Sequence, residues 1–301
     1  MSTSSENLIA GIPMRKVGPV VLAGPDVAGE MLVPLATFET PLWPSVERGA
    51  RVTARAGGIR AVILDERMTR SVLVVAPDAA GARALVEFVR EQRAALADVV
   101  RGTSRFAQLK DMHIEVVGHW VYIRLEFDTG DASGHNMATR AADAMLAWIL
   151  EQRPECAYGS ISGNYCCDKK PAAVNGILGR GKYAVAETII PARLVQRYLH
   201  TTAEKIAALN QRKNWVGTAL AGGLRAANAH FANMLLGFYL ATGQDAANIV
   251  EGSQGFTLAE VRGDGDLYFS VTLPNLIVGT VGNGKDLPFV QDNLRELGCL
   301  E

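Results

Sequence analysis

Apolar positions along this chain recur at two different periods, and the switches between them outline its elements. Residues 20–22 and 31–33 read as the two strands of a hairpin, joined through Gly24, Pro25 and Gly29. The run S-V-L-V-V-A at 71–76 predicts a strand. Asp78 then supplies an N-cap, and Leu85, Phe88, Val89, Ala95 and Val99 give one helical apolar face. The period returns to that of strands at 113–117 and 120–127, around the turn Gly118-His119. In the second of these strands Trp120, Tyr122, Arg124 and Glu126 alternate with Val121, Ile123, Leu125 and Phe127. Ala141, Met145 and Trp148, at i, i+4 and i+7, predict a second helix, and residues 157–161 a final strand. Residues 71–159 therefore read β-α-β-β-α-β, the ferredoxin-like order.

The pattern after this unit is predicted as a buried strand at 183–190 and a long helix. That helix begins at Pro191 and carries Leu194, Tyr198, Ile206 and Leu209. It breaks near 214–223. A further helix is predicted from about Asn228 to Thr242, stopping at Gly243. Residues 256–261 and 267–273 form a hairpin across Gly263-Asp-Gly265. Residues 6–18 are expected to be irregular. Glu39, between apolar residues and a proline, is either a helix-start residue or a buried functional acid.

Two stretches fit neither period. Residues 160–187, S-I-S-G-N-Y-C-C-D-K-K-P-A-A-V-N-G-I-L-G-R-G-K-Y-A-V-A-E, gather Asn164, Asp168, Lys169 and Lys170 among glycines and Pro171. So many breakers predict a loop with an unusual backbone path. The adjacent lysines need an anion nearby, either Asp168 or an acidic substrate; a solvated charged turn is the other reading. Residues 130–136, G-D-A-S-G-H-N, open the second helix of the small unit with the free N–H groups that suit phosphate. Ser104 and Arg105 add a possible phosphate contact, and residues 279–285 make a second glycine-rich turn.

Composition narrows the function classes. The chain has 301 residues, enough for about two domains. Its 30 basic and 31 acidic groups nearly cancel, which argues against nucleic acid or an anionic membrane as a partner. No apolar run reaches the roughly 18 residues of a membrane span. The start M-S-T-S-S-E-N lacks the features of a signal peptide. The four cysteines, including the pair Cys166–Cys167, show no metal-ligand spacing and read as reduced thiols in a cytoplasmic protein. The histidines form no metal motif, so no metal is expected; His113 and His119 read as structural and His230 as packing.

At S-G-N-Y-C-C-D-K-K-P-A-A-V-N-G-I-L-G-R-G-K the chain resembles the catalytic portion of 3-hydroxy-3-methylglutaryl-coenzyme A (HMG-CoA) reductases of the class I type. The resemblance runs from E-N-L-I at 6–9 through A-T-F-E (36–39), R-M-T-R (67–70), T-S-R-F (103–106) and G-D-A-S-G-H-N-M (130–137). It continues through K-N-W-V-G-T-A (213–219), N-A-H-F-A-N (228–233), G-Q-D-A-A-N (243–248) and G-T-V-G-N-G (279–284). It implies an α+β fold. A large acyl-CoA-binding and dimerisation domain, residues 1–70 and 160–301 with a long central helix, would hold an inserted small NADP-binding domain, residues 71–159. It also implies reduction of HMG-CoA to mevalonate and free coenzyme A with two NADPH, in a homodimer or higher homo-oligomer.

Three residues take catalytic roles by this resemblance. Lys169 matches the cation facing the reacting carbonyl, where hydride attack puts negative charge on oxygen. Glu39 matches a proton donor, which an apolar setting would keep protonated. Asp245 matches the partner of the lysine. Arg70, Ser162, Asp168, Lys170, Lys213 and Asn233 match positions around the hydroxymethylglutaryl group, whose carboxylate calls for the extra lysines. Ser104 and Arg105 match contacts to the 2′-phosphate of NADPH, and Asp131, Gly134, Asn136 and Gly282 further cofactor-side positions.

The departures from the pattern are Thr40-Pro-Leu-Trp-Pro after the glutamate, Ser133 and His135 where methionines are common, and Asn283 within the glycine turn. The family continues beyond that turn into a tail with a catalytic histidine, which no histidine here matches. The competing expectation is accordingly an acyl-CoA or nucleotide binding homologue without turnover. Retention of Glu39, Lys169 and Asp245 together favours the enzyme.

Overall fold

One long strand changes partners half-way along its length, and its second half carries the largest of three apolar clusters among the described residues. In the computed structural model, which describes residues 10–282 and 284–300, the chain starts with the hairpin β1 (Met14–Ala23) and β2 (Ala28–Ala36). Val20 pairs with Met31, as the alternation predicts, and strand geometry already begins at Met14 where an irregular stretch was expected. The motif residues 6–9 and Asn283 lie outside the described residues. Helix α1 (Leu42–Arg55) packs Leu42 and Trp43 beneath the hairpin, and the Trp43 indole donates to the Leu35 carbonyl at 2.9 Å. Next comes β3 (Arg60–Val75), whose second half is the strand expected at 71–76.

Residues 68–75 of β3 belong to the first core. It is completed by α2 (Ala79–Glu91), α3 (Arg93–Thr103), β4 (Gln108–Val117), β5 (Trp120–Asp128), α4 (His135–Gln152) and β6 (Ala157–Ser160). The strands run antiparallel in the order β6-β3-β5-β4. Val72, Val74, Val121, Ile123, Leu125 and Phe127 meet Leu85, Val89, Ala141, Met145 and Ile149 in an apolar interior. Asp78 caps α2 by accepting from the Gly81 N–H at 2.7 Å. The single helix expected over 78–99 is two. Gln92 leaves helical geometry (φ −87°, ψ 17°), so the buried set moves from Ala95 and Val99 to Leu96 and Val100.

Residues 60–67 of β3 pair instead with β7 (Gly181–Ile190), which follows the short α5 (Ala173–Leu178). After β7 the expected long helix is also interrupted. α6 (Ala192–Leu194) widens into a π-helical turn (Val195–Leu199) and ends at His200, whose φ is +54°. Thr202 then caps a new start, α7 (Ala203–Leu209), followed by a second π-helical stretch (Asn210–Gly217) and α8 (Thr218–Leu220). Leu209, expected on the apolar face, is 59% exposed. The Asn228 side chain accepts the Phe231 N–H and opens α9 (Phe231–Ala241), which stops before Gly243 at φ +61°. A short turn and α10 (Ile249–Gly252) lead to β8 (Phe256–Arg262), β9 (Asp266–Leu276) and α11 (Pro288–Glu296). The main sheet reads β4-β5-β3-β7-β9-β8, with β6 also on β3. Among the described residues no helix is long and apolar enough to cross a membrane.

The alternation on β5 misleads on its polar face. Arg124 and Glu126 are fully buried. The loop after β6 lies across them, and the Arg124 guanidinium donates to the Gly179 carbonyl at 2.7 Å. Glu126 pairs with both Arg124 and Arg67. Removing one partner from such a buried cluster leaves uncompensated charge, so Glu126→Ala should cost about 3–5 kcal/mol in urea unfolding. Breaking the exposed α2 pair with Glu87→Ala should stay within about 1 kcal/mol.

Candidate active site

The loop between β6 and β7 is irregular because three of its non-glycine residues adopt left-handed backbone: Asn164 (φ 61°), Cys167 (φ 42°) and Lys169 (φ 56°). Contacts from outside the loop hold this path. The Gly163 N–H donates to the Ser71 carbonyl of β3 at 2.8 Å, and a side chain at Gly163 would strike Ser71. Within the loop, the Asn175 amide donates to the Cys167 carbonyl at 2.9 Å.

The loop projects Asp168 and Lys169 into a cavity of about 460 Å³. One wall is the start of α4, from Ala132 to Met137, and the other is Gly243-Gln244-Asp245 with Gly282 and Lys285; Arg70 of β3 completes it. The Lys169 ammonium lies 2.6 Å from Asp245. Its hydrogen bond to Asp245 raises Lys169 above the usual lysine range. Burial opposes ionisation of Asp245, yet the Lys169 contacts and the Ala247 N–H hold it low. Asp168 is likewise held far below the carboxylate range: His135 and Arg180 outweigh its burial, with Arg180 at 2.6 Å and His135 at 3.6 Å.

The two glycine-rich turns meet at this cavity. Ala132 bridges Val281, and the Thr280 N–H donates to the Asp131 carbonyl at 3.0 Å. A Cβ on Gly279 would lie 2.3 Å from the Ser133 nitrogen, so only glycine permits the approach. Gly134, at φ +89°, starts the eighteen-residue α4 with no side-chain cap, which leaves the first N–H groups of the helix to face the cavity.

Of the residues expected at the site, Lys169, Asp245, Asp168, Arg70, Gly134, Asn136 and Gly282 line this cavity together, and Asp131 backs it. Lys170 turns back onto its own loop, donating to Asn164 and the Asp168 carbonyl. Ser162 is exposed on that loop, Lys213 is exposed on the second π-helical stretch and Asn233 lies on α9. Ser104 and Arg105 line a separate cavity of about 470 Å³ at the end of α3. The apolar setting expected for Glu39 is corrected: its side chain is exposed ahead of α1, because Leu42 and Trp43 take the buried places.

Sequence reasoning missed four residues here. Gln244 clamps Gly279 through two 3.0 Å hydrogen bonds. Lys285 donates to the carbonyls of Thr242 and Gly243, each at 2.8 Å, and so closes the end of α9. Arg180 and Glu251 lie beneath the loop, and only the burial of charged residues in the fold distinguishes them.

The hydroxymethylglutaryl-coenzyme A reductase family model matches residues 1–301. The chain belongs to that family. A Pyrococcus abyssi relative named 3-hydroxy-3-methylglutaryl-coenzyme A reductase is 46% identical over 296 residues, covering 97% of this chain and 72% of its own length. A Haloferax volcanii relative of the same name is 46% identical over 295 residues, covering 97% and 72%. In fold, the chain is similar to the Streptococcus pneumoniae class II reductase solved bound to NADPH. That likeness has a TM-score of 0.75 at 23% identity, over 99% of this chain and 80% of the other.

Lys285 supplies a pH test of the cavity wall. It is 9% exposed, and burial pulls it down from 10.5 to about 8. Between those values the unfolded chain holds the extra proton, so stability should rise with pH over that window. Thermal unfolding of Lys285→Met across the same window should lose that rise.

Proposed function

We propose that the α4–loop–Asp245 cavity is where this member of the family reduces HMG-CoA to mevalonate and coenzyme A. The observation that carries the reading is the Lys169–Asp245 pair, 2.6 Å apart in a cavity also faced by Arg70 and Asp168. Lys169 stabilises the negative charge that develops on the thioester carbonyl oxygen, and then on the aldehyde oxygen of the second reduction. Asp245 holds the ammonium protonated and aimed. Arg70, Ser162, Lys170, Lys213 and Asn233 bind the hydroxymethylglutaryl part.

NADPH supplies the hydride for each of the two reductions. The residues present fit it: the uncapped start of α4 and the glycines at 134 and 282, which line the cavity, give backbone N–H groups close access to phosphate. Asp131 and Asn136 complete that side. Ser104 and Arg105 receive the 2′-phosphate in their own cavity at the end of α3.

The architecture we infer is a ferredoxin-like small domain over 71–159, inserted into a large domain of residues 1–70 and 160–301. The separate apolar clusters, one on residues 68–75 of β3 and one on β7, β8 and β9, support it. We also infer a homodimer, in which a second copy completes the site with Glu39 as proton donor. Glu39 is exposed and does not line the Lys169 cavity within one chain, and the adjacent Phe38 is 75% exposed. The four free cysteines suit the cytoplasm.

Lys169→Ala should lower kcat for HMG-CoA reduction by at least about 10²–10³ with the fold intact by circular dichroism. Wild-type turnover would sink the assignment. Arg105 can pair with a phosphate that NADH lacks, a contact of about 1.5–3 kcal/mol. Arg105→Ala should therefore erase most of a roughly tenfold or larger preference for NADPH, measured as the ratio of kcat/KM for the two cofactors.

A further inference from the structure

Beneath the loop lies an ionic pair that the reaction does not touch. Arg180 is 1% and Glu251 0% exposed. Arg180 comes from the turn before β7 and Glu251 from α10, so two separate elements reach the same point. The Arg180 guanidinium donates to Asp168 at 2.6 Å and lies 3.7 Å from Glu251. Glu251 accepts the backbone N–H of Lys169 at 3.1 Å and the Asn248 amide at 3.0 Å. Asn275 of β9 in turn donates to the Glu251 carbonyl. The residue gripped by its backbone is the one whose φ of 56° carries a side chain in a conformation that favours glycine. Such a conformation persists only where the surroundings over-determine it.

We propose that Glu251, braced by Arg180, is a positioning residue for Lys169. It fixes the left-handed turn that points the ammonium at Asp245 and supplies buried negative charge behind it. Asp168 is held from the same side by the same arginine, so the two cavity-facing charges move as one unit. The proposal rests on Lys169 being the oxyanion cation. Burial raises Glu251 above the ordinary carboxylate range, against the opposing pull of Arg180. The charged and titratable groups around Lys169 are Asp245, Asp168, Glu251 and the adjacent Lys170, with Arg70, Lys285 and His135 on the same cavity, Arg180 behind Asp168 and Tyr239 of α9 beyond Glu251. Of these, Glu251 is the fully buried anion that makes no contact with the cavity.

Glu251→Gln keeps the shape and an acceptor for the Lys169 N–H but removes the charge. The pH–kcat profile is the readout, since a residue with only a structural role would leave its shape unchanged. The alkaline limb, where Lys169 loses its proton, should move to lower pH by about one unit. The Kd for NADPH, followed by quenching of its fluorescence, should stay as in the wild type. In a Lys169→Ala background the same change should alter the residual rate by less than about twofold, because the two residues act as a unit. A profile superimposable on the wild type, or an equal loss in the Lys169→Ala background, overturns the proposal. Full activity of Lys169→Ala alone would instead overturn the reading beneath it. Should Glu251→Gln fail to fold, Glu251→Asp takes its place. It keeps the charge but draws the acceptor away from the Lys169 N–H, so kcat should fall about tenfold with the alkaline limb unmoved. Wild-type kcat in that variant overturns the proposal.

Discussion

Charge buried under the loop between β6 and β7 constrains everything above it. Arg124 and Glu126 sit on the face of β5 opposite the apolar core, under the loop, and Arg180 and Glu251 lie beneath the same loop, all removed from water. Desolvated charges of this kind are tolerated only when each finds a partner in good geometry. The loop supplies those partners: the Gly179 carbonyl for Arg124, Asp168 for Arg180 and the Lys169 N–H for Glu251. Satisfying them forces the backbone through left-handed positions at residues that would not choose them. The strain sits at the segment that carries the Lys169 ammonium into the cavity.

The partner change along β3 places that loop where the sheet passes from β5 to β7. Residues 68–75 belong to the sheet covered by α2, α3 and α4, and residues 60–67 to the sheet of β7, β9 and β8. Arg70 lies just past the change and reaches the cavity. One wall of the cavity therefore comes from the start of α4 and the other from the segment after α9. Contact between Asp131–Ser133 and Gly279–Val281 ties the walls together. A site built this way brings groups from the two walls face to face without either element being long.

Glycine does specific work at that seam. At Gly279 and Gly243 the approaching atoms are backbone, which cannot swing aside as a side chain would. Lys285 and Gln244 then lock the same seam by hydrogen-bonding its carbonyls and amides. Asp245 is positioned by this lock from one side and by Lys169 from the other.

Several features are determined locally and were legible in the chain alone: the hairpins β1–β2, β4–β5 and β8–β9, the Asp78 cap, the stop at Gly243, and the motif loop as a loop. Short-range periodicity and turn chemistry specify these, and the motif residues carry the family resemblance. The pairing of Lys169 with Asp245 was legible through that resemblance. Periodicity could not show the break at Gln92 or at His200, because an apolar face one residue out of register still reads as helical. It could not show that Arg124 and Glu126 are buried, since alternation marks them as outward until a loop some fifty residues later folds over them. Nor could it single out Arg180 and Glu251. A charge becomes a structural support only when tertiary packing removes the water around it, and that depends on which distant segments arrive at the same place.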